Sequence, residues 1–421
     1  MQHWGTISTF GRKKKVPNLM FPTLTTGSGA QTCLRATANK LLSKRRSWLR
    51  KLIRAVALSV TALLIITLWA LERLHRKQPT PDWVTDGSAE PIWPEDAPYS
   101  DRIEGQLRFR PSKLRDGVLL ISLFEGFSRW DLPNSEAYRS LFDECPINNC
   151  RASFDTNDME KANAILFRNS PPHMPNRRPD QILIFSSLEA PPHTTAKNFV
   201  NTVNWTATYR RDSDIVTPYG KLVKTATQEE VIVNLTIKTR LAAWFVSNCY
   251  TNSRREYYVS ALEQHMPVDK YGHCGNKRCK KSDPNCWNLL RKYKFYIAFE
   301  NARCQDYITE KLFENALRYN AVPVVMGPPK WQYEQVMPSG SFIHVEDFAS
   351  PKALAEHLKA LAANDTAYMS FFAWKKDYKL LDTKFWCRLC ALLNQPRAKV
   401  YPSIEHWWNP PGTCATDQWW S

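Results

Sequence analysis

Acidic residues are absent from the first 54 positions, which hold 12 Lys and Arg. The formal charge of +17, from 57 Lys and Arg against 40 Asp and Glu, is therefore largely a property of that tail. The other 367 residues carry 45 basic and 40 acidic side chains. A body so nearly balanced excludes the broad basic surface with which a nucleic-acid-binding protein replaces phosphate counterions. Glycine is scarce, 14 residues in 421, and none of it builds a phosphate-cradling loop, so neither a P-loop nor a dinucleotide fingerprint is present. No internal repeat is visible. What is abundant excludes as well: 12% aromatic residues rules out collagen, low-complexity and wholly disordered chains. At roughly 150 residues per domain the length suits two domains, at most three.

Long apolar runs are confined to one place. Residues 55–71, AVALSVTALLIITLWAL, carry no charge and are entered through Lys44, Arg45, Arg46, Arg50, Lys51 and Arg54. As a helix the run is about 26 Å long, enough for a thin internal membrane. The basic flank places the N-terminus in the cytoplasm and the rest in the lumen. A cleaved signal peptide is expected nearer the start, and a buried soluble helix does not explain the one-sided charge. Residues 1–54 are thus a cytoplasmic tail and 55–71 a signal anchor. Residues 72–111, with Pro79, Pro81, Pro91, Pro94, Pro98 and Pro111, read as a semi-extended stem.

Of 11 cysteines only Cys33 precedes the anchor. The ten after it are Cys145, Cys150, Cys249, Cys274, Cys279, Cys286, Cys304, Cys387, Cys390 and Cys414, an even number in an oxidising compartment. Disulfides are expected, with Cys145, Cys150, Cys274, Cys279, Cys286, Cys304, Cys387 and Cys390 as the main candidates and their pairing open. The spacings Cys387-x2-Cys390 and Cys274-x4-Cys279 also suit zinc. Sequons at Asn204, Asn234 and Asn364 mark the same side for N-glycosylation.

The body alternates short apolar runs with helical patterns. Strands are expected at Val118–Phe124, Ala164–Phe167, Ile182–Phe185, Leu241–Val246, Phe295–Phe299 and Val322–Met326, near-continuously apolar as parallel strands buried on both faces are. Helices are expected from about Thr309, as cap, to Tyr319, and over Pro351–Ala362. The pattern predicts an α/β body of two domains, 112–222 and 239–390, joined by a polar linker at 223–238 and followed by an extension, 391–421, of unknown role.

Chemistry concentrates in Tyr293–Pro329, a strand, a loop, a helix and a strand. The loop holds Glu300, Asn301 and Asp306, and the helix opens Thr309-Glu310-Lys311. A helix N-terminus after a strand suits an anion, with Lys311 as an added cation; equally, an acid in a first turn stabilises any helix. Asp212-Ser-Asp214 has a metal-binding form that also arises by chance, and a structural role is preferred.

Phe299-Glu300-Asn301, Asp306–Lys311, Asn315-Ala316-Leu317 and Val322–Val325 together resemble the α1,3-fucosyltransferase family, and Asn204–Tyr209 with the insertion Tyr271–Gly275, Cys279 and Cys286 look most like its invertebrate members that modify the N-glycan core. Tyr209–Ile215, Pro218-Tyr219-Gly220, Trp244–Asn248 and Cys387-x2-Cys390 extend the resemblance over roughly residues 181–390. Ala302 departs from it, since the family has Ser there.

The resemblance implies a GT-B fold, two Rossmann-like domains facing a cleft, with acceptor on the first and GDP-fucose on the second. It implies inverting transfer of L-fucose to the 3-hydroxyl of GlcNAc. Glu189 then matches the general base, Arg254 and Lys311 the cations on the diphosphate, and Asn301, Tyr307 and Glu310 the residues that hold the donor. No obligatory metal or cofactor is implied, manganese stimulation being allowed. Partners would be GDP-fucose, an N-glycan acceptor and the Golgi membrane, with no nucleic acid; a Lewis-type acceptor, or a silent glycan-binding relative, are the alternatives. The implied location is the Golgi membrane, single-pass, with the catalytic body in the lumen.

Overall fold

The structure, a computed structural model, describes residues 56, 90–124, 140–194, 196, 199–226, 231–279 and 283–415. The expected anchor at 55–71 lies outside them apart from Val56; among the described residues no helix is long and apolar enough to cross a membrane. Ala89–Ser421 forms one compact unit.

Two five-stranded parallel sheets organise it. The first contains β1 (Leu119–Leu123), β2 (Cys150–Ser153), β3 (Ala164–Phe167), β4 (Ile182–Ser187) and β5 (Trp205–Thr208), ordered 2-1-3-4-5. The second contains β6 (Arg240–Phe245), β7 (Val268–Tyr271), β8 (Tyr293–Phe299), β9 (Val322–Met326) and β10 (Ile343–His344). Taken from its β7 edge, this sheet runs β7-β6-β8-β9-β10, which is the same 2-1-3-4-5 order. All six expected strands form; four of them are buried throughout, and Tyr293–Phe299 at every position but Lys294. Their apolar residues alternate between two faces, each covered by a separate cluster.

Several boundaries differ from the sequence expectation. The stem ends before Glu90, not at 111: Trp93 is buried against Trp205 at 5.0 Å between ring centres. Arg102 donates to the carbonyls of Arg211 and Ser213, and Gln106 to that of Asp214. Polar buried groups with partners this distant hold residues 90–111 in the body. The linker carries a strand, Leu222–Lys224, paired antiparallel with Tyr378–Leu380.

The second domain does not keep its last helix. Phe385–Asn394 returns to the first sheet and packs under β1 and β4, where Cys145–Cys387 and Cys150–Cys390 pin it. The other bridges are Cys249–Cys274, Cys279–Cys286 and Cys304–Cys414. Both zinc spacings therefore fail as metal sites, because all four cysteines are bonded to partners outside their own motif.

Candidate active site

In a 2-1-3-4-5 sheet, ligands bind at the carboxyl ends of the strands flanking the point where the chain reverses direction across the sheet. In the second sheet that point lies between β6 and β8. The loop after β6 is 246–254 and the loop after β8 is 300–310, so the topology puts the expected donor residues at the switch point.

Glu300 closes the loop after β8 on itself. Its fully buried carboxylate accepts from the Thr309 amide at 2.8 Å, the Thr309 hydroxyl at 2.9 Å and Lys311 Nζ at 2.8 Å. Burial pushes the Glu300 carboxyl above its ordinary range, with Lys311 pulling it back. Thr309 precedes the helical turn as expected, and its hydroxyl has two tasks, donating to Glu300 at 2.9 Å and accepting from the Lys311 amide at 3.5 Å. The expected helix forms as a π-helical turn, Lys311–Ala316, followed by a 3-10 turn, Leu317–Tyr319. Such π turns recur at functional sites.

Lys311 is 14% exposed, and its ammonium also meets Thr309 Oγ1 at 2.8 Å and Glu310 Oε1 at 3.2 Å. Burial alone would lower its pKa, but Glu300 and Glu310 outweigh it and hold the ammonium above its ordinary value. Glu310 stays ionised for the converse reason: burial opposes, Lys311 and Thr309 prevail, and its pKa falls. The carboxylates of Glu300 and Glu310 thus share one cation.

The loop after β6 is stitched to this one. The Ser253 hydroxyl donates to the Glu300 carbonyl at 2.6 Å, the Ser253 amide to the Asn301 carbonyl at 3.1 Å, and Arg255 Nη1 to the Phe299 carbonyl at 2.6 Å. These bonds set Arg254 and Asn301 on adjoining loops. Arg254 is exposed, in left-handed conformation, at the start of helix Arg255–Glu263. Asn301 Oδ1 is a buried acceptor with no partner among the described residues.

Glu189 comes from the first sheet. It follows β4, is exposed, and its carboxylate accepts from the Tyr307 hydroxyl at 3.4 Å. Tyr307 belongs to the loop after β8, so this contact joins the two sheets at the site. A second joins them beside it: the amide of Arg211 donates to Asp306 Oδ2 at 3.1 Å, and Gln332 Oε1 accepts from the Asp306 amide at 2.6 Å. Glu189, Tyr307, Glu310 and Lys311 therefore share one neighbourhood, with Arg254 and Asn301 on its rim.

Sequence reasoning assigned no role to Tyr209, Tyr219 or Glu300 at the site. Tyr209 packs on Tyr307 at 5.1 Å between ring centres, and the Tyr219 hydroxyl donates to the Leu188 carbonyl at 2.6 Å, one residue before Glu189. The motifs containing them were legible, but not their proximity. Asp212 and Asp214 diverge: Asp212 pairs with Arg210 at 2.6 Å, while buried Asp214 accepts from Lys399 at 2.9 Å, Tyr401 at 2.9 Å and the Thr206 amide at 2.8 Å. Both carboxylates are engaged by cations or hydroxyls of the fold.

Comparison with known proteins places these features. A sequence model for the C-terminal part of glycosyltransferase family 10 (fucosyltransferase) matches residues 235–407, and one for the fucosyltransferase N-terminal part matches 118–220. Alpha-(1,3)-fucosyltransferase C of Drosophila melanogaster is 32% identical over 413 residues, 87% of this chain and 94% of that one. A crystal structure of an alpha1,3-fucosyltransferase with GDP-fucose has a TM-score of 0.46 at 14% identity, covering 72% of this chain and 98% of that one. Glycoprotein 3-alpha-L-fucosyltransferase A, also of Drosophila melanogaster, is 39% identical over 350 residues, 78% of this chain and 69% of that one. With both halves matched and relatives of this similarity, the chain belongs to glycosyltransferase family 10, the fucosyltransferases.

Proposed function

We propose that this chain is an inverting α1,3-fucosyltransferase that moves L-fucose from GDP-fucose to the 3-hydroxyl of the core GlcNAc of N-glycans. The observation that carries the reaction is the meeting of Glu189 with the Tyr307–Lys311 segment across the two sheets. Two parallel sheets of equal order whose loops meet at Glu189 and Tyr307 support a GT-B arrangement, acceptor on the first and donor on the second. In the reading, Glu189 takes the proton from the acceptor hydroxyl as its oxygen bonds the fucose C1. The C1–O bond to the diphosphate breaks, and GDP leaves with the electron pair. A diphosphate departs without an acid; it requires cations. Arg254 stands at a helix start for that role. Lys311 takes it by exchanging its 3.2 Å contact with Glu310 for a phosphate oxygen, which frees Glu310 for the fucose hydroxyls. Asn301 and Tyr307 complete the donor side. No metal is assigned an obligatory part, since Asp212 and Asp214 are held by Arg210 and Lys399. Residues 55–71 serve as a single-pass Golgi anchor with the body in the lumen.

The core acceptor is supported by the glycoprotein-modifying name of the 39% identical relative. A bovine relative named for galactosyl-N-acetylglucosaminide is also 39% identical, but over 274 residues, 61% of this chain. The test uses the full chain in detergent with GDP-fucose and, separately, a core N-glycan peptide and N-acetyllactosamine. Transfer to the core peptide is expected, with Glu189→Gln losing about 10²- to 10⁴-fold in kcat while GDP-fucose binding persists. Transfer to N-acetyllactosamine alone overturns the acceptor. Donor binding with no transfer to either overturns catalysis on both.

A further inference from the structure

The C-terminal extension had no legible role in the sequence, yet it reaches both walls of the site. Helix Ile404–Trp408 brings buried Trp408 between strand β4 and the Tyr209–Tyr307 pair. Its ring lies 5.5 Å from Phe185, on the strand that delivers Glu189, and 5.6 Å from Tyr209. Its indole N–H donates to Thr194 Oγ1 at 2.7 Å. Thr194 closes the 3-10 turn Pro191–His193 that follows Glu189. One side chain thus braces the Glu189 loop from both ends and backs the tyrosine that packs on Tyr307.

Six residues later the extension reaches the other loop. Cys414 is bonded to Cys304, three residues before Tyr307. Around that bond Arg303 and Cys304 pair antiparallel with Ala415 and Cys414, and the Gln305 amide donates to the Thr413 carbonyl at 2.8 Å. Consecutive arginines tie the two together: Arg210 Nη1 donates to the carbonyls of Trp407 at 2.7 Å and Trp408 at 3.1 Å, and the Arg211 amide to Asp306. Ala302 is fully buried in the same cluster as Cys304, Tyr307 and Trp408. The apolar residue where the family has Ser therefore fits an apolar seat, in which a hydroxyl would need a partner.

We propose that residues 401–415 are a positioning strap for the reaction, with Trp408 as the positioning residue and the Cys304–Cys414 bond as its second anchor. The strap holds Glu189 and Tyr307 at their mutual distance by bracing the loops that carry them, the Glu189 loop through Thr194 and the Tyr307 loop through Cys304. This rests on the transferase reading above. Its action is through Glu189 and Tyr307.

The test compares Trp408→Ala, Trp408→Phe, Thr194→Val and the double Cys304→Ala/Cys414→Ala change in the full chain. The kcat of each is expressed per molecule competent to bind GDP, so that loss of folded protein is divided out. Trp408→Ala is expected to lose about 10- to 100-fold in kcat through misplacement of the reacting groups, with GDP affinity little changed, and Trp408→Phe to recover most of it. Undiminished kcat per GDP-binding molecule in Trp408→Ala overturns the proposal. Should that variant not fold, Thr194→Val, which removes only the hydroxyl that meets the indole, and the double cysteine change decide it by the same criterion. Hydrogen exchange supplies a readout independent of turnover: the amides of 303–309 should exchange faster when the strap is cut loose. A wild-type chain that transfers to neither acceptor defeats the transferase reading, and unaltered exchange in the variants defeats the strap.

Discussion

At the scale of single residues, the fold keeps several ionisable groups in places where water does not reach, and one of them leaves a measurable trace. Lys238, buried at the base of the second sheet, donates to the Tyr293 carbonyl at 2.8 Å. Burial, followed by the nearby charges of Arg291, Lys375 and Lys294, holds its pKa down to about 7 from the ordinary 10.5. Between those values the unfolded chain binds a proton at this residue that the folded chain does not, so stability rises with pH across the window. Below it both states are charged and the contribution stops changing. Urea denaturation of Lys238→Met from pH 7 to 9 should show a shallower rise than the parent; equal slopes would remove Lys238 as the source. Glu300 and Lys311 illustrate what sequence can and cannot disclose at this scale. Their residue types and spacing already marked a polar loop, but that Glu300 is the buried hub receiving Thr309 and Lys311 is a matter of tertiary packing.

At the scale of elements, the strands that were legible are the ones largely buried on both faces, because their sequences are almost continuously apolar. Those missed are shorter or more polar. β7 reads Val-Asp-Lys-Tyr at a sheet edge, buried only at its ends. β5 holds Thr206 and Thr208, wholly buried because Asp214 and Ser213 bond their hydroxyls. No local pattern announces partners several residues away. The π turn at Lys311–Ala316 is of the same kind: helical periodicity was visible, the widened turn was not. Packing against this turn is tight. A methyl group at Gly220, at the exit from the first sheet, would lie 2.4 Å from the ring of Phe313, which is itself buried. Gly220→Ala is expected to cost about 1–3 kcal/mol of stability from overpacking, read as a lowered denaturation midpoint with unchanged slope. An unchanged midpoint would mean the two elements can separate without penalty.

For the whole molecule, the C-terminal segment clasps the first sheet on both faces, helix Phe385–Asn394 on one and Tyr401–Trp408 on the other. This arrangement also sorts the sequons. Asn204 is engaged on all sides: its Nδ2 donates to the Lys399 carbonyl at 2.8 Å, and its Oδ1 accepts from Arg177 and from the Leu183 amide. A glycan there would expel Lys399 and the strap from β5, so Asn204 is withdrawn as an acceptor. Asn234 and Asn364 are exposed, each with Oδ1 on a backbone amide, and both are expected to be modified. Peptide mapping after deglycosylation of the secretory-pathway product should find label at Asn234 and Asn364 and none at Asn204; label at Asn204 would show that this edge of the sheet opens.

The sequence by itself determined the class of the fold, the segment that carries the chemistry and the family to which the chain belongs. Apolar continuity, turn residues and contiguous motifs are properties of neighbours along the chain. It also determined that ten cysteines favour disulfides. Only the tertiary structure decided which cysteines pair, across separations of up to 242 residues. Only it decided that the supposed stem from Glu90 onward belongs to the body, that the polar carboxylates Glu300 and Asp214 sit in the interior, and that residues 401–415 return to the site. Each of these is a contact between distant segments, whose free energy depends on what burial leaves beside a group once the chain has closed, and no local pattern encodes that.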